Sequence, residues 1–449
     1  MFSLPHIFGG ERSFSHGIHP QEAKEATSGL PIRRFPFAPY LVLLLSQHAG
    51  KPARPIVRAK QEVLRGQPVA EADGFVSVPI HAPASGIIHQ VGRAMDSAGK
   101  MAPAIILEPF TGSDQQATWG TPVDVEAMNA KEIIQAIQQM GMVGLGGAAF
   151  PTHVKLTPPE GKIIDTFIVN GCECEPFLTA DHRVMLEYPK EVLLGTRLVQ
   201  KALRAKHAVI AIEDNKPDAI ALLKKMTADM PEVSVQGLTT KYPQGAEKML
   251  TKALLNREVP SGGLPSDIGV MVSNITTLAE IGMLLPLGQG LTERVITVTG
   301  HGVERPGNYL MPLGTPLNFV LETVGLKGAA KEVIFGGPMM GRGVAYLETP
   351  ITKGVSGILV AATDERAAPA VTYPCIRCGQ CLEACPMHLN PSMLGSLGRK
   401  AQFEEMAQDY HLFDCFECGC CSYTCPSKIP LVQQFRIAKE VLRTRRAAA

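Results

Sequence analysis

What this chain lacks excludes several classes of protein. No apolar run approaches a membrane span: the longest, Tyr40 to Leu45, is far short of the ~20 residues that cross a bilayer. The opening Met1-Phe-Ser-Leu-Pro-His6 has neither the basic start nor the apolar stretch of a secretory signal. No charge of one sign dominates, since 43 Lys and Arg face 42 Asp and Glu, and nucleic acid is not an expected partner. Two nucleotide-binding signatures are also missing, the G-x-G-x-x-G after a first strand and the P-loop G-K-S/T.

What is present is cysteine in an ordered pattern. Of 11 cysteines, eight form two copies of one run. The first is Cys375-Ile-Arg-Cys378-Gly-Gln-Cys381-Leu-Glu-Ala-Cys385-Pro386, and the second is Cys415-Phe-Glu-Cys418-Gly-Cys420-Cys421-Ser-Tyr-Thr-Cys425-Pro426. Each is C-x2-C-x2-C-x3-C-P, the run that holds a cubane iron–sulfur cluster in bacterial ferredoxins. Three closely spaced thiolates wrap three corners of a cube, and the fourth, beyond a turn, reaches the other cluster in two-cluster proteins. On that logic one 4Fe-4S cluster takes Cys375, Cys378, Cys381 and Cys425, and the other takes Cys415, Cys418, Cys421 and Cys385. Paired C-x2-C also builds zinc sites, but here eight ligands stand in ferredoxin order with both prolines. Cys420 reads as a bystander beside a ligand. Thiols committed to clusters imply a reducing compartment, so the cytoplasm is expected.

At 449 residues the chain has room for roughly two to four domains. Residues 1–30 read as an irregular arm, with His6, His16 and His19 as loop histidines. Residues 31–125 read as β, their short apolar runs cut by Gly and Pro. Gly74 to Ile88 looks like the turn of a lipoyl-type sandwich, without the lysine a carrier domain would modify. Over 126–290 helical and strand patterns alternate: helices at 131–139, 192–205, 218–226 and from Thr276, strands at 162–169, 208–212 and 268–272. This predicts an α/β domain with a largely parallel sheet, whose ligands sit at the carboxyl ends of the strands. Residues 291–365 suggest a small mixed β fold, and 363–374, with Ala367 to Ala370, a linker. The domain over 366–449 holds the cysteine runs and ends in a basic helix with Arg436, Lys439, Arg443, Arg445 and Arg446.

The α/β region carries further pointers. Gly144-Leu-Gly146-Gly147-Ala-Ala-Phe150 lets backbone approach a phosphate closely, and Lys155 adds a positive charge within reach. Asn170-Gly-Cys172-Glu173-Cys174-Glu175 follows a predicted strand. Its carboxylates suit hydroxyls or a ring N–H, or are surface charges, and its two thiols have no partner ligands nearby. Lys241-Tyr242-Pro-Gln-Gly245-Ala-Glu247 is a third stretch. Asn274-Ile-Thr276-Thr277 caps a helix after a strand. Together they point to a phosphate-bearing ring cofactor. A flavin suits the chemistry, because hydride donors deliver two electrons and cubane clusters accept one.

Gly144 to Lys155, Asn170 to Pro176, Tyr242 to Glu247 and Asn274 to Thr277 resemble the flavin-binding stretches of the NADH-binding subunit of respiratory complex I. Thr299 to Tyr309 and Gly314 to Leu317 are similar to that subunit's β-grasp domain. Over nearly the whole chain the order of parts resembles the C-subunit family of the Rnf complexes, the ion-translocating ferredoxin:NAD oxidoreductases. Gly17 to Pro20, His81 to Gly86, Ile212 to Pro217 and Ile429 to Gln433 fit it. The resemblance implies a multidomain α/β chain: lipoyl-like β-sandwich, Rossmann-like FMN/NAD domain, β-grasp domain and a ferredoxin-like helical domain with two clusters. It implies FMN held by Gly144, Gly146, Gly147, Lys155, Asn170, Tyr242, Asn274 and Thr277. It implies NAD(H) stacked near Phe150, with Glu173, Glu175 and Glu247 around it. The complex I stretches carry Arg, Asp and Glu where Leu145, Cys172 and Thr276 stand here.

The implied activity is hydride exchange with NAD(H) at FMN and passage of single electrons through the clusters to partner subunits of a membrane complex, with ferredoxin reached indirectly. The implied place is the cytoplasmic face of a bacterial inner membrane, peripheral and held through partners, with the cluster domain and basic tail as docking surface. The rival readings are a soluble reductase of the corrinoid-reductase type and a redox-sensing module without turnover. The leading sandwich favours the Rnf reading over the soluble reductase.

Overall fold

The computed structural model describes residues 12–328, 332–362 and 371–448. His6, the Phe8-Gly-Gly run and Ala367 to Ala370 of the expected linker lie outside them.

Thr166–Gly171, His207–Glu213 and Val270–Asn274 are apolar on successive residues, the pattern of strands covered on both faces. With Val233–Leu238 they form a four-stranded, all-parallel sheet in the order Val233–Leu238, His207–Glu213, Thr166–Gly171, Val270–Asn274. The chain starts at Thr166–Gly171, steps outward twice, then returns to the other side of its first strand. That reversal leaves a crevice at the carboxyl ends of Thr166–Gly171 and Val270–Asn274. The strand expected from 162 begins only at Thr166, since Ile163 is 81% exposed.

Two helices cover one face at very short range. A Cβ on Gly195, in Pro189–Leu203, would lie 1.9 Å from the Leu278 carbonyl oxygen, and one on Gly282, in Ile275–Leu284, would lie 2.0 Å from that of Glu191. Only glycine permits this contact.

Before this unit, an antiparallel sheet of Leu41–Leu44, Met101–Pro109, Gly86–Met95 and Glu62–Val63 faces a smaller one of Arg54–Pro55, Pro68–Glu71 and Ile80–His81. Leu41, Leu43, Val69, Ile88 and Ile105 fill the space between them. After it comes a six-stranded mixed sheet with Glu293–Thr299 and Gly307–Pro312 among its strands. Arg33–Arg34 adds to its edge, parallel to Gly307–Pro312, so the start of the region read as sandwich belongs to this sheet.

The last unit is helical. Its core packs Leu394, Leu397, Met406 and Leu412 against Phe435 of the final helix, Leu431–Ala448. The two cysteine runs repeat in backbone as well as sequence. Arg377 and Glu417, Gly379 and Gly419, and His388 and Lys428 occupy matching places and all have positive φ. Each run then enters a short helix, Gln380–Glu383 or Cys420–Tyr423.

Candidate functional site

The glycine stretch closes on itself. Gly144 N donates to Phe150 O at 2.9 Å, and Ala149 N donates to Gly144 O at 3.1 Å. Leu145 is buried and held at both backbone ends: its N–H donates to Thr277 Oγ1 at 2.9 Å, and its carbonyl accepts from Arg294 Nη2 at 2.9 Å. These bonds pin the loop to the start of Ile275–Leu284 and to the strand Glu293–Thr299. Gly146 rests on Asn274, where an added Cβ would come within 3.1 Å of the Asn274 Cβ. Gly147 has φ +106°, and the space its Cβ would enter is open. Gly146, Gly147 and Ala148 are exposed, so bare backbone faces that space, as a phosphate-bearing ligand requires.

Asn170 and Asn274 are register partners at the carboxyl ends of adjacent strands, beside the crevice. Asn274 Oδ1 accepts from Thr277 N at 3.2 Å and caps the helix. Its Nδ2 donates to Asp181 Oδ2 at 2.8 Å, and Thr276 Oγ1 donates to Asp181 Oδ1 at 2.5 Å. Asp181 and Arg294 were not legible as site residues. In sequence Asp181 is an ordinary acid at a helix start, and Arg294 an ordinary cation before a strand. Burial raises the Asp181 carboxyl, opposed by the bonds from Thr276 and Asn274, and burial lowers Arg294 to about 10. Asn170 Nδ2 donates to Gly245 O at 2.8 Å, and its Oδ1 accepts from Cys172 N at 3.0 Å. Asn170 thereby ties the Tyr242–Gly245 turn to the 172–175 loop.

The two carboxylates of that loop are neither surface charges nor an open acidic edge. Glu173 accepts from Asp181 N at 2.9 Å and His182 N at 3.3 Å, at the start of Ala180–Glu187. Burial lifts its carboxyl to about 7, with the Lys24 ammonium opposing. Glu175 accepts from Met339 N at 3.1 Å and Met340 N at 2.7 Å. Backbone donors otherwise left unpaired recruit both side chains inward. Lys24, from the N-terminal arm, donates to the carbonyls of Glu173, Glu175 and Leu178 at 2.7, 3.0 and 2.5 Å. At the open edge remain Phe150, 38% exposed, and the ion pair of Lys155 with Glu247. Tyr242 lies in the interior rather than at this open edge. It is 1% exposed, and its hydroxyl donates to Cys418 O at 2.7 Å.

Cys385, Cys415, Cys418 and Cys421 line one cavity with Leu389, Leu394, Val432 and Phe435. Cys420 lines the cavity too, so one cysteine from the first run and four from the second share it, and Cys385 with the three ligand-spaced thiols of the second run is a donor set that fits a cubane cluster. Burial raises the Cys381 thiol, and the nearby Cys375, Cys378 and Cys425 add to the rise. Among the described residues, no three His, Cys, Asp or Glu side chains close around a single metal ion. The two runs differ in exposure: Cys375 and Cys378 are exposed, whereas Cys385 and Cys421 are buried.

Cys420 is buried among Ile18, Tyr242 and Ala384. Burial pushes the Cys172 and Cys174 thiols up, and their sulfurs meet the Ala211 carbonyl and the Gly245 N–H. Part of the basic tail also turns inward, where Arg436 and Lys439 each meet Glu417 at 3.0 Å. No helix among the described residues is long and apolar enough to cross a membrane.

Four family models match the chain. Residues 12–111 match the RnfC barrel sandwich hybrid domain, 137–283 the Nuo51 FMN-binding domain, 295–343 the SLBB domain and 372–429 the 4Fe-4S dicluster domain. The C subunit of the proton-translocating ferredoxin:NAD(+) oxidoreductase complex of Clostridium ljungdahlii is 44% identical over 431 residues, which cover 95% of this chain and 93% of the relative. The C subunit of the Na(+)-translocating complex of Acetobacterium woodii is 40% identical over 440 residues, covering 97% and 98%. A solved NAD(+)-reducing nickel–iron hydrogenase in its H2-reduced state has 19% identity and a TM-score of 0.47, covering 74% of this chain and 69% of its own. At such identity to the two bacterial relatives over almost its full length, the chain belongs to the RnfC family, the C subunits of the ion-translocating ferredoxin:NAD(+) oxidoreductase complexes.

Proposed function

We propose that this chain is the electron-transfer subunit through which an ion-translocating membrane complex exchanges electrons with NAD(H). FMN, when bound, would supply the conversion of a two-electron hydride into single electrons, which suits one-electron clusters downstream. The observation that carries this reading is the open glycine cradle at the reversal point of a parallel sheet, in a chain that also sets Cys385 beside Cys415, Cys418 and Cys421 around one cavity. Gly146 and Gly147 offer backbone to the phosphate. Gly144, Asn274 and Thr277 hold the loop in shape, and Lys155 exchanges its bond to Glu247 for the phosphate charge. Phe150 supplies an exposed ring at the edge where the nicotinamide enters. Glu173 and Glu175 position the 172–175 loop from beneath, and Asn170 links that loop to the next turn.

The cluster assignment is crossed, Cys385 serving with Cys415, Cys418 and Cys421, and Cys425 with Cys375, Cys378 and Cys381. Partner subunits take electrons at the exposed first run, beside the exposed Tyr373, Ile376 and Tyr423. Membrane attachment, at the cytoplasmic face, runs through those partners, and ferredoxin is reached through them. The finer architecture is a lipoyl-like sandwich, a Rossmann-like flavin domain, a β-grasp domain and a ferredoxin-like end. The test is the anaerobically purified chain, assayed for FMN and for on the order of eight irons, four per cubane. NADH should bleach the flavin absorbance and then the iron–sulfur absorbance. Protein with zinc in place of iron, or a flavin that NADH cannot bleach, overturns the reading.

A further inference from the structure

Tyr242 stands where three separate parts of the chain meet. Its ring shares a buried cluster with Ile18 of the N-terminal arm and with Ala384 and Cys420 of the cysteine runs, and Cys174, Met339 and Cys418 pack at the margin. Its hydroxyl reaches the backbone of Cys418, one of the cysteines that line the cavity. On its other side, Gly245 at the end of the same turn is bonded to Asn170 and Cys174 of the flavin-side loop. The turn therefore touches the flavin-side strand end with one side and the second cysteine run with the other.

The arm fixes this turn in place. Ile18 N donates to Tyr242 O, and Tyr242 N donates to Ile18 O, both at 2.9 Å. Lys241 Nζ donates to Phe14 O at 2.8 Å and lies 4.9 Å over the Phe14 ring. The same arm grips the cluster unit, with His16 Nδ1 3.2 Å from Leu382 O and Ser15 Oγ 3.0 Å from His388 Nε2. It grips the 173–178 loop through Lys24. A segment that reads as irregular in sequence is thus a strap across the junction.

We propose that Tyr242 is the contact through which electrons leave the flavin domain for the cluster of the second run, and that residues 12–24 hold it against Cys418. The proposal rests on the functional reading above, and it places at the junction a residue that the family resemblance assigns to the flavin's ligand set. Each NADH supplies two electrons and each cluster accepts one, so two passages follow each hydride, and no bond to Tyr242 forms or breaks. The phenol offers a hydrogen-bonded route from ring to ligand backbone, not a redox centre of its own.

The test uses the full chain with both clusters and FMN, comparing the parent with Tyr242→Phe and Tyr242→Leu. Phe removes only the hydroxyl, and Leu removes the ring as well. In both variants FMN content, iron content and full cluster reduction by dithionite should match the parent. NADH should bleach the flavin at the parental rate. The later iron–sulfur bleaching, followed by stopped flow and by freeze-quench electron paramagnetic resonance, should slow several-fold in Tyr242→Phe and further in Tyr242→Leu. Loss of FMN in Tyr242→Phe would return the residue to the flavin pocket and overturn the proposal. Loss of iron would make it a cluster support, and a parental rate of cluster reduction would leave it no part in transfer; either result overturns the proposal too. A parent whose flavin NADH cannot bleach sinks the functional reading and the proposal with it. Normal parental turnover with indifferent variants sinks the proposal alone.

Discussion

Arg294 donates to the carbonyl of Leu145 at 2.9 Å, so a guanidinium from the six-stranded sheet braces the glycine loop from below. In the complex I subunit that this loop resembles, Arg stands at the position of Leu145. Here Leu145 is core, and the cation arrives from a different strand.

Arg294→Met should leave the Leu145 carbonyl unpaired and the neighbouring buried Asp181 and Glu280 without their cation. Loss of a hydrogen bond to a charged group costs about 1.5–3 kcal/mol. Flavin titration should show weakened FMN binding together with a lower melting temperature. A lower melting temperature at unchanged FMN affinity would confine Arg294 to fold support.

Gly147→Val meets two obstacles. The residue sits at φ +106°, where a β-branched side chain is strained, and the added methyls enter the open space over the loop. FMN retention and NADH-dependent reduction of an artificial acceptor should be abolished. Lys155→Ala should weaken FMN binding by about 1.5–3 kcal/mol, the cost of a lost charged hydrogen bond. Iron content should stay at the parental level in both. Full FMN occupancy in both variants would mean the cofactor sits elsewhere.

Cys385→Ser tests the crossed ligation. Although Cys385 belongs to the first run, its thiol lines the cavity of Cys415, Cys418 and Cys421. The variant should lose chiefly that cluster, leaving the signal of the Cys375 cluster in electron paramagnetic resonance. Cys420→Ser should retain both clusters. Selective loss of the Cys375 cluster in Cys385→Ser would show that the assignment is wrong.

Glu280 provides a pH signature. It is buried beside Glu293 and Arg294, and burial lifts its carboxyl to about 8 from an ordinary 4.5, with Glu293 adding to the rise and Arg294 opposing it. A folded-state value above the unfolded one gives stability that is fully present below pH 4.5 and is lost as pH rises through 8. The slope is at most about 1.4 kcal/mol per pH unit in that window. Glu280→Gln cannot ionise there, so its melting temperature relative to the parent should climb between pH 5 and pH 9. A difference independent of pH would show that Glu280 already ionises freely in the fold.

The two cysteine runs were legible because ligand spacing is local: thiolates that wrap one cube must be a few residues apart, and the sequence shows that directly. The parallel sheet was legible because strands buried on both faces need continuous apolar runs, as in His207–Glu213. The strand Val233–Leu238 was missed because it lies at the sheet's edge and alternates buried with half-buried residues. Glu175, Tyr242 and Arg294 share another reason. Each finds its partner in a different segment of the chain, and a residue's type says what it can bond, not what folding brings beside it. The sequence by itself determined the cofactor chemistry and the kind of sheet that carries the site. Only the tertiary structure decided that Glu175 turns inward, that Arg294 braces the glycine loop, and that the arm and Tyr242 join the flavin side to the second cysteine run. Those contacts depend on close packing between segments far apart in sequence, which no local pattern encodes.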